Sequence, residues 1–196
     1  MARSIKFYYD FLSPYSYLAS LQLPAIALRH DCTIDYLPIS VLRLMEKVGN
    51  QPTTILCEAK LSYALQDLGR WAQKYEVAIT PNPHLNTIDV EPLLRGAIAA
   101  DDAGLTEAYN KAVFEAYWVE QAAFRDLSEL KSILENAQFP GAQELLELSS
   151  GLEDRLHANI ASAVADGVFG VPSFVCDSGL FFGNDRLDFL EQELAA

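Results

Sequence analysis

Apolar residues alternate at strand spacing only near the two ends of this chain, while the stretch between them keeps helical spacing, and that division restricts the folds available. Ile5 to Tyr9 alternates and is rich in aromatics, and Thr33 to Ile39 (TIDYLPI) does the same. Between them, Pro14 to about His30 repeats apolar residues at a helical period. A strand–helix–strand opening implies a parallel pair joined by a right-handed crossover. From about Glu58 to Asp166 the segments LSYALQDLGRWAQKY, EPLLRGAIAA, LTEAYNKAVFEAYWVEQ and LEDRLHANIASAVADG are each periodic every three to four residues, with turn signals in TPNPHLN and FPGA. After Gly167 strand character returns. Ser173 to Cys176 and Leu180 to Phe182 flank the turn-forming Asp177-Ser178-Gly179, a hairpin pattern. Asn184 is then expected to cap a last helix with Leu187, Leu190 and Leu194 on one face and Asp185 and Asp188 in its first turn.

This order predicts an α/β protein: a thioredoxin-like βαβ…ββα unit spanning 1–196, with a large all-helical insertion over approximately 43–164. A chain of 196 residues with 51% hydrophobic content can bury one core of that size. Its 14 basic against 27 acidic residues, a net charge of −13, argue against nucleic acid or an anionic membrane surface, both of which attract clustered Lys and Arg. No apolar stretch approaches a membrane span, and a cytoplasmic location is expected. Cys32, Cys57 and Cys176 are odd in number and far apart, which offers neither a disulfide framework nor a CxxC pair. His30, His84 and His157 are scattered too, so no metal site is expected.

In such a fold the start of the first helix lies beside the loop before the third strand, which brings Ser13-Pro14-Tyr15-Ser16 and Val171-Pro172 together. Ser13 is a good N-cap and Pro14 suits the first helical position. Ser13 also stands where redox members of the fold carry their first cysteine, so disulfide exchange at this position is excluded. A hydroxyl beside free N–H groups at a helix start still favours an anion, and a thiolate brought by a cosubstrate is one. A cis Val171-Pro172 bond would leave the Val171 backbone able to pair with an extended peptide. In the third loop, Phe182-Gly183-Asn184-Asp185-Arg186, amides opening the last helix can receive a carboxylate while Asp185 meets an ammonium. Carboxylate and amine on one carbon describe the γ-glutamyl end of glutathione.

The segments YYDFLSPYSYLA, Gly49-Asn50, KLSYALQDLGRWAQKY, FGVPSFV and FFGNDRLDFLE, in this order, resemble the 2-hydroxychromene-2-carboxylate isomerase family, which is similar to kappa-class glutathione transferases. The resemblance runs from Ile5 to about Leu194. It implies a DsbA-like thioredoxin fold, a glutathione-dependent isomerase of aromatic catabolism, and a homodimer. Ser13 matches the catalytic serine that holds the glutathione sulfur. Val171, with Pro172, matches the residue pairing with the cysteinyl backbone, and Phe182, Gly183, Asn184 and Asp185 match the segment gripping the γ-glutamyl group. Asn50 and Lys60 fall at polar positions near the cleft. Where family members carry a lysine, an Asn-Arg pair and a tyrosine around the organic substrate, this chain has Met45, Thr54-Ile55 and Leu85, so the cations expected for a substrate carboxylate are missing there; Arg43, Lys47 and Lys60 are candidate replacements.

Tyr15 is expected to line the cleft and Tyr17, two residues on, to face elsewhere. Trp71 and Trp118 read as core or interface residues, and His84 as the histidine that borders the cleft if any does. Two other readings stand beside the isomerase. One is a kappa-like transferase that releases the adduct; the other is a non-catalytic thioredoxin-like module that binds a peptide or small acid.

Overall fold

The computed structural model describes residues 3–85 and 87–195. Strand β1 (Arg3–Tyr9) leads through a short loop into helix α1 (Pro14–Arg29), which returns to strand β2 (Cys32–Pro38). β1 and β2 pair in parallel, Ile5 opposite Ile34 and Phe7 opposite Tyr36. Strands β3 (Ser173–Cys176) and β4 (Gly179–Phe182) form the terminal hairpin, β3 antiparallel to β1 with Phe7 opposite Phe174, giving the sheet order β2-β1-β3-β4. The chain has the thioredoxin-like α/β order expected, with element ends within a few residues of those read from the sequence.

Between β2 and β3 run α2 (Val41–Val48), α3 (Thr53–Leu56), α4 (Glu58–Tyr75), α5 (Glu91–Asp102), α6 (Thr106–Trp118), α7 (Leu127–Asn136), α8 (Ala142–Ser149) and α9 (Glu153–Ala165). The periodic segments do not single out α2, α3, α7 or α8; α2 has only two turns. Its ends are marked nonetheless: the Ser40 hydroxyl accepts from the Arg43 N–H, and Gly49 closes it in the left-handed conformation.

The core joins sheet and helices through aromatics. The Phe7 ring stacks between Tyr9 (4.9 Å) and Phe174 (5.3 Å), and Phe114 of α6 meets Phe11 at 4.7 Å and Tyr17 at 5.6 Å. Tyr17 therefore faces the core, as its spacing from Tyr15 requires. Trp118 is buried and donates its indole N–H to the Phe11 carbonyl at 2.9 Å, fixing the end of α6 under the loop before α1. Trp71 packs on Tyr75 within α4 and carries the Lys74 ammonium over its face.

One terminal expectation is corrected. Asn184 caps no helix: it opens a 3₁₀ turn (Asn184–Arg186), and α10 (Leu187–Leu194) follows without a side-chain cap. The side chain of Asn184 is turned inward and buried, so it cannot reach the first-turn amides as a cap would. Leu187, Leu190 and Leu194 form the buried face of α10.

Candidate active site

The site begins with the short connection from β1 to α1. Asp10 and Phe11 are buried, Ser13 is partly exposed, and the Ser13 N–H donates to the Asp10 carbonyl at 3.1 Å. The Ser13 hydroxyl caps α1 by accepting the Ser16 N–H at 3.1 Å, and Pro14 occupies the first helical position. Its proton side makes a long 3.5 Å contact with the Val171 carbonyl. The cap and the site-facing hydroxyl are thus one group, and the loop before β3 lies against it. The Val171–Pro172 peptide is cis.

The third loop is tied to the second: the Gly183 N–H donates to the Pro172 carbonyl at 2.9 Å. Gly183 has φ +101° and ψ 150°, a conformation essentially confined to glycine. Phe182 folds over the same loop, its ring 4.6 Å from that of Phe169 and pressed so close to Gly170 that a Cβ there would meet it at 2.9 Å. The 3₁₀ turn packs against α1, so Ser13, Val171, Pro172, Phe182, Gly183, Asn184 and Asp185 share one end of the fold. Asp185 is exposed and paired with Arg186 at 2.6 Å. The buried Nδ2 of Asn184 donates no hydrogen bond among the described residues, although the Tyr75 hydroxyl is near enough to be influenced by it. One turn from Ser13, the fully buried Ser16 hydroxyl is likewise without a partner.

An open cleft of about 430 Å³ adjoins this end, lined by Tyr15, Thr54, Ala59, Lys60, Tyr63 and Ala64. Tyr15 is wall, as expected: its hydroxyl donates to Asp67 at 3.1 Å, and burial, reinforced by the Asp67 carboxylate, holds it protonated well above the usual phenol range. Lys60 sits on the cleft with its ammonium 3.4 Å from the Thr53 hydroxyl. Arg43 is committed elsewhere, to Glu91 at 2.5 Å and to the His157 ring at 2.7 Å. Lys47 is exposed at the end of α2.

The other sequence candidates are scaffold rather than wall. Asn50 donates to the Phe169 carbonyl and accepts the Gln51 N–H, both at 2.8 Å, so it braces the segment leading to Val171. Met45 is partly buried and its carbonyl accepts the Asn50 N–H at 2.8 Å. His84 and Leu85 are partly buried in a turn held by Asn82, whose amide spans the Tyr117 and Ala122 carbonyls; Leu85 packs on the main core. Neither lines the cleft described above. Sequence reading missed Ala59, Tyr63, Ala64 and Asp67, all on α4. Tyr63, Ala64 and Asp67 lie within KLSYALQDLGRWAQKY, a segment that carries the family resemblance, but which of its residues face the start of α1 is set by the packing of α4 on α1. It also missed Asp10, buried beside Ser13.

Sheet order, inserted helices and a helix start facing the Val171–Pro172 loop define a DsbA-like thioredoxin protein, and residues 4–195 match the family model described as a DSBA-like thioredoxin domain. Within that class the chain belongs to the 2-hydroxychromene-2-carboxylate isomerase family. It is 35% identical to the 2-hydroxychromene-2-carboxylate isomerase of Sphingobium xenophagum across 99% of each chain. The solved structure of selenomethionyl 2-hydroxychromene-2-carboxylate isomerase superimposes with a TM-score of 0.85 at 31% identity, covering 98% of this chain and 94% of that one. Glutathione S-transferase kappa 1 of Rattus norvegicus is 25% identical over 96% of this chain and 89% of its own. The relatives named as isomerases support an isomerase activity. No helix among the described residues is long and apolar enough to cross a membrane.

Proposed function

We propose that this chain is a glutathione-dependent isomerase of a conjugated, 2-hydroxychromene-2-carboxylate-like organic acid. The observation that carries the reading is the meeting of the Ser13 hydroxyl, the Val171 carbonyl and the Gly183 loop at the start of α1. The chemistry of the residues fits the tripeptide. Ser13 offers a hydroxyl donor engaged only by a long contact, and the unpartnered Asn184 Nδ2 is a buried donor of the kind a ligand carboxylate satisfies. Asp185 can exchange Arg186 for the γ-glutamyl ammonium.

When bound, glutathione supplies a thiol whose anion adds to an electron-poor conjugated carbon and departs after the neighbouring carbon–carbon bond has turned. The protein's part is electrostatic and geometric. Ser13 directs its O–H, and α1 its dipole and the Tyr15 N–H, the one first-turn amide left free because Pro14 has none and the Ser13 cap engages that of Ser16, at the position of the sulfur, which favours the anion over the thiol. Such preorganised donors are typically worth about 3 kcal/mol each. Val171 presents backbone to the cysteinyl unit, and the Gly183–Asp185 turn holds the γ-glutamyl end. Lys60 supplies positive charge on the cleft, and Tyr15, kept neutral, forms its wall without donating a proton.

Liquid chromatography with mass detection of enzyme, glutathione and the chromene acid tests the reading, since the isomer shares the substrate's mass and is distinguished by its retention. Isomer formed with glutathione undiminished is the expected result. Stoichiometric conjugate would favour transfer, as in the kappa-class relative, and binding without turnover would leave only a carrier. The homodimer is tested by sedimentation of the purified chain, with a dimer expected.

A further inference from the structure

Asp10 has no part in the chemistry just described, yet its side chain is completely buried. One carboxylate oxygen accepts the Leu12 N–H at 3.0 Å, and the other accepts the Val41 N–H at 2.8 Å. The first bond is an ordinary Asx turn, which an Asn or Ser would make as well. The second is not local: it crosses 31 positions to the first residue of α2. Two N–H groups approach two oxygens, and only an ionised carboxylate accepts on both without presenting a hydrogen of its own. An amide or a protonated acid leaves one of the donors facing a donor or a weakened acceptor. Asp10 thus joins the backbone entering α1, through its own carbonyl to the Ser13 N–H as well, to the backbone entering α2, which runs on to Met45 and Asn50.

We propose that Asp10 is a positioning residue for the Ser13 site, a buried anionic clamp that fixes the start of α1 relative to the start of α2. Its effect on turnover rests on the glutathione reading; the clamp itself does not. Burial pushes the carboxyl up to about 6 against the two amide bonds, which pull it down. Among the described residues the titratable side chain that feels its charge is Tyr117 of α6, and that hydroxyl is buried with no partner. No cation figures among the groups acting on it. The clamp is closed at pH 7 and opens as pH falls through its midpoint.

Two measurements test this. In ¹H–¹⁵N spectra from pH 4.5 to 8, the Leu12 and Val41 amides are expected to shift together with one midpoint near 6, and Asp10→Asn to abolish both shifts. This arm needs no glutathione, and in the wild-type chain it needs no variant. In glutathione-dependent turnover, kcat/KM is expected to show the same midpoint, and Asp10→Asn to lose that inflection and about tenfold of the pH 7 value, since one amide forfeits a charged acceptor. Amides that titrate apart, or that keep their wild-type pH 7 shifts in Asp10→Asn, overturn the clamp. A variant that keeps wild-type turnover and the wild-type pH profile overturns the positioning role. Wild-type protein that binds no glutathione while its amides titrate together would instead refute the function proposed above and leave the clamp standing.

Discussion

Gly183→Ala tests whether the loop geometry at the site is required or incidental. With φ +101° and ψ 150°, Gly183 lies in a region that costs other residues about 1–3 kcal/mol. An added Cβ would also stand 2.5 Å from the Asp185 Oδ1. That oxygen is the tip of an exposed side chain, so the clash resolves by moving Asp185 off its position and not by shifting backbone. The expected result is a Tm lowered by roughly 2–12 °C, taking about 2–4 °C per kcal/mol for a chain of this size. Calorimetry should show glutathione affinity reduced by about tenfold, one lost polar contact. The control is the same chemical change at Gly69, in the exposed middle of α4, where a Cβ meets nothing within 4 Å. There Ala should raise stability, by up to about 1 kcal/mol. A Gly183→Ala protein with unchanged Tm and unchanged affinity would refute the reasoning, as would equal effects at the two positions.

Phe114→Ala empties the aromatic junction between α6 and the loop before α1, and urea unfolding should show a loss of about 3–5 kcal/mol; a loss below about 1 kcal/mol would mean the site does not rest on that packing. Lys60→Met removes the cleft cation and should raise the KM for the organic acid severalfold at low salt, with the difference shrinking as ionic strength rises; a salt-independent difference would contradict an electrostatic role. Asp10 predicts an unusual pH dependence. Its folded-state pKa, about 6, lies above the unfolded value, so the folded protein holds the extra proton between about pH 4 and 6 and stability falls as pH rises through that window, by about 3 kcal/mol in total. Asp166 and Glu191 are shifted the other way: burial of Asp166 is outweighed by Lys6 and Tyr8, and Glu191 is lowered chiefly by Arg29, so their contributions vanish only as pH falls below the usual carboxylate range. Thermal melts should therefore peak near pH 4, at the low end of that window, and Asp10→Asn should flatten the decline toward pH 7. A Tm that climbs steadily from pH 4 to 7 would refute this assignment.

What was legible in the sequence was whatever is encoded locally. The alternation of Ile5 to Tyr9, the Ser13-Pro14 start of α1 and the hairpin around Asp177-Ser178-Gly179 each carry their own signal, and together they order the sheet. Ser13 and Val171 were legible because fold order brings the start of the first helix to the loop before the third strand, and Gly183 through the chemistry of its loop and the resemblance carried by FFGNDRLDFLE. Contacts made by side chains distant in sequence were not. Asn50 looks like a free polar group until its amide is seen bracing Phe169, and Arg43 looks like a replacement cation until Glu91 and His157 are seen holding it. Asn184 reads as a cap because cap-forming residues are recognised by type, whereas burial of its side chain is decided by tertiary packing around Tyr75 and α1. Asp10 gave no signal, since only the register of β1 against β2 brings it to Val41.

The direct test of the account is the ionisation of bound glutathione, followed by thiolate absorbance near 240 nm as pH is raised. Bound to the wild-type chain, the sulfur is expected to ionise at least one pH unit below the free-thiol value of about 8.5, and in Ser13→Ala to return most of the way to it while the tripeptide stays bound. A sulfur that titrates identically free, bound to wild type and bound to Ser13→Ala would contradict it.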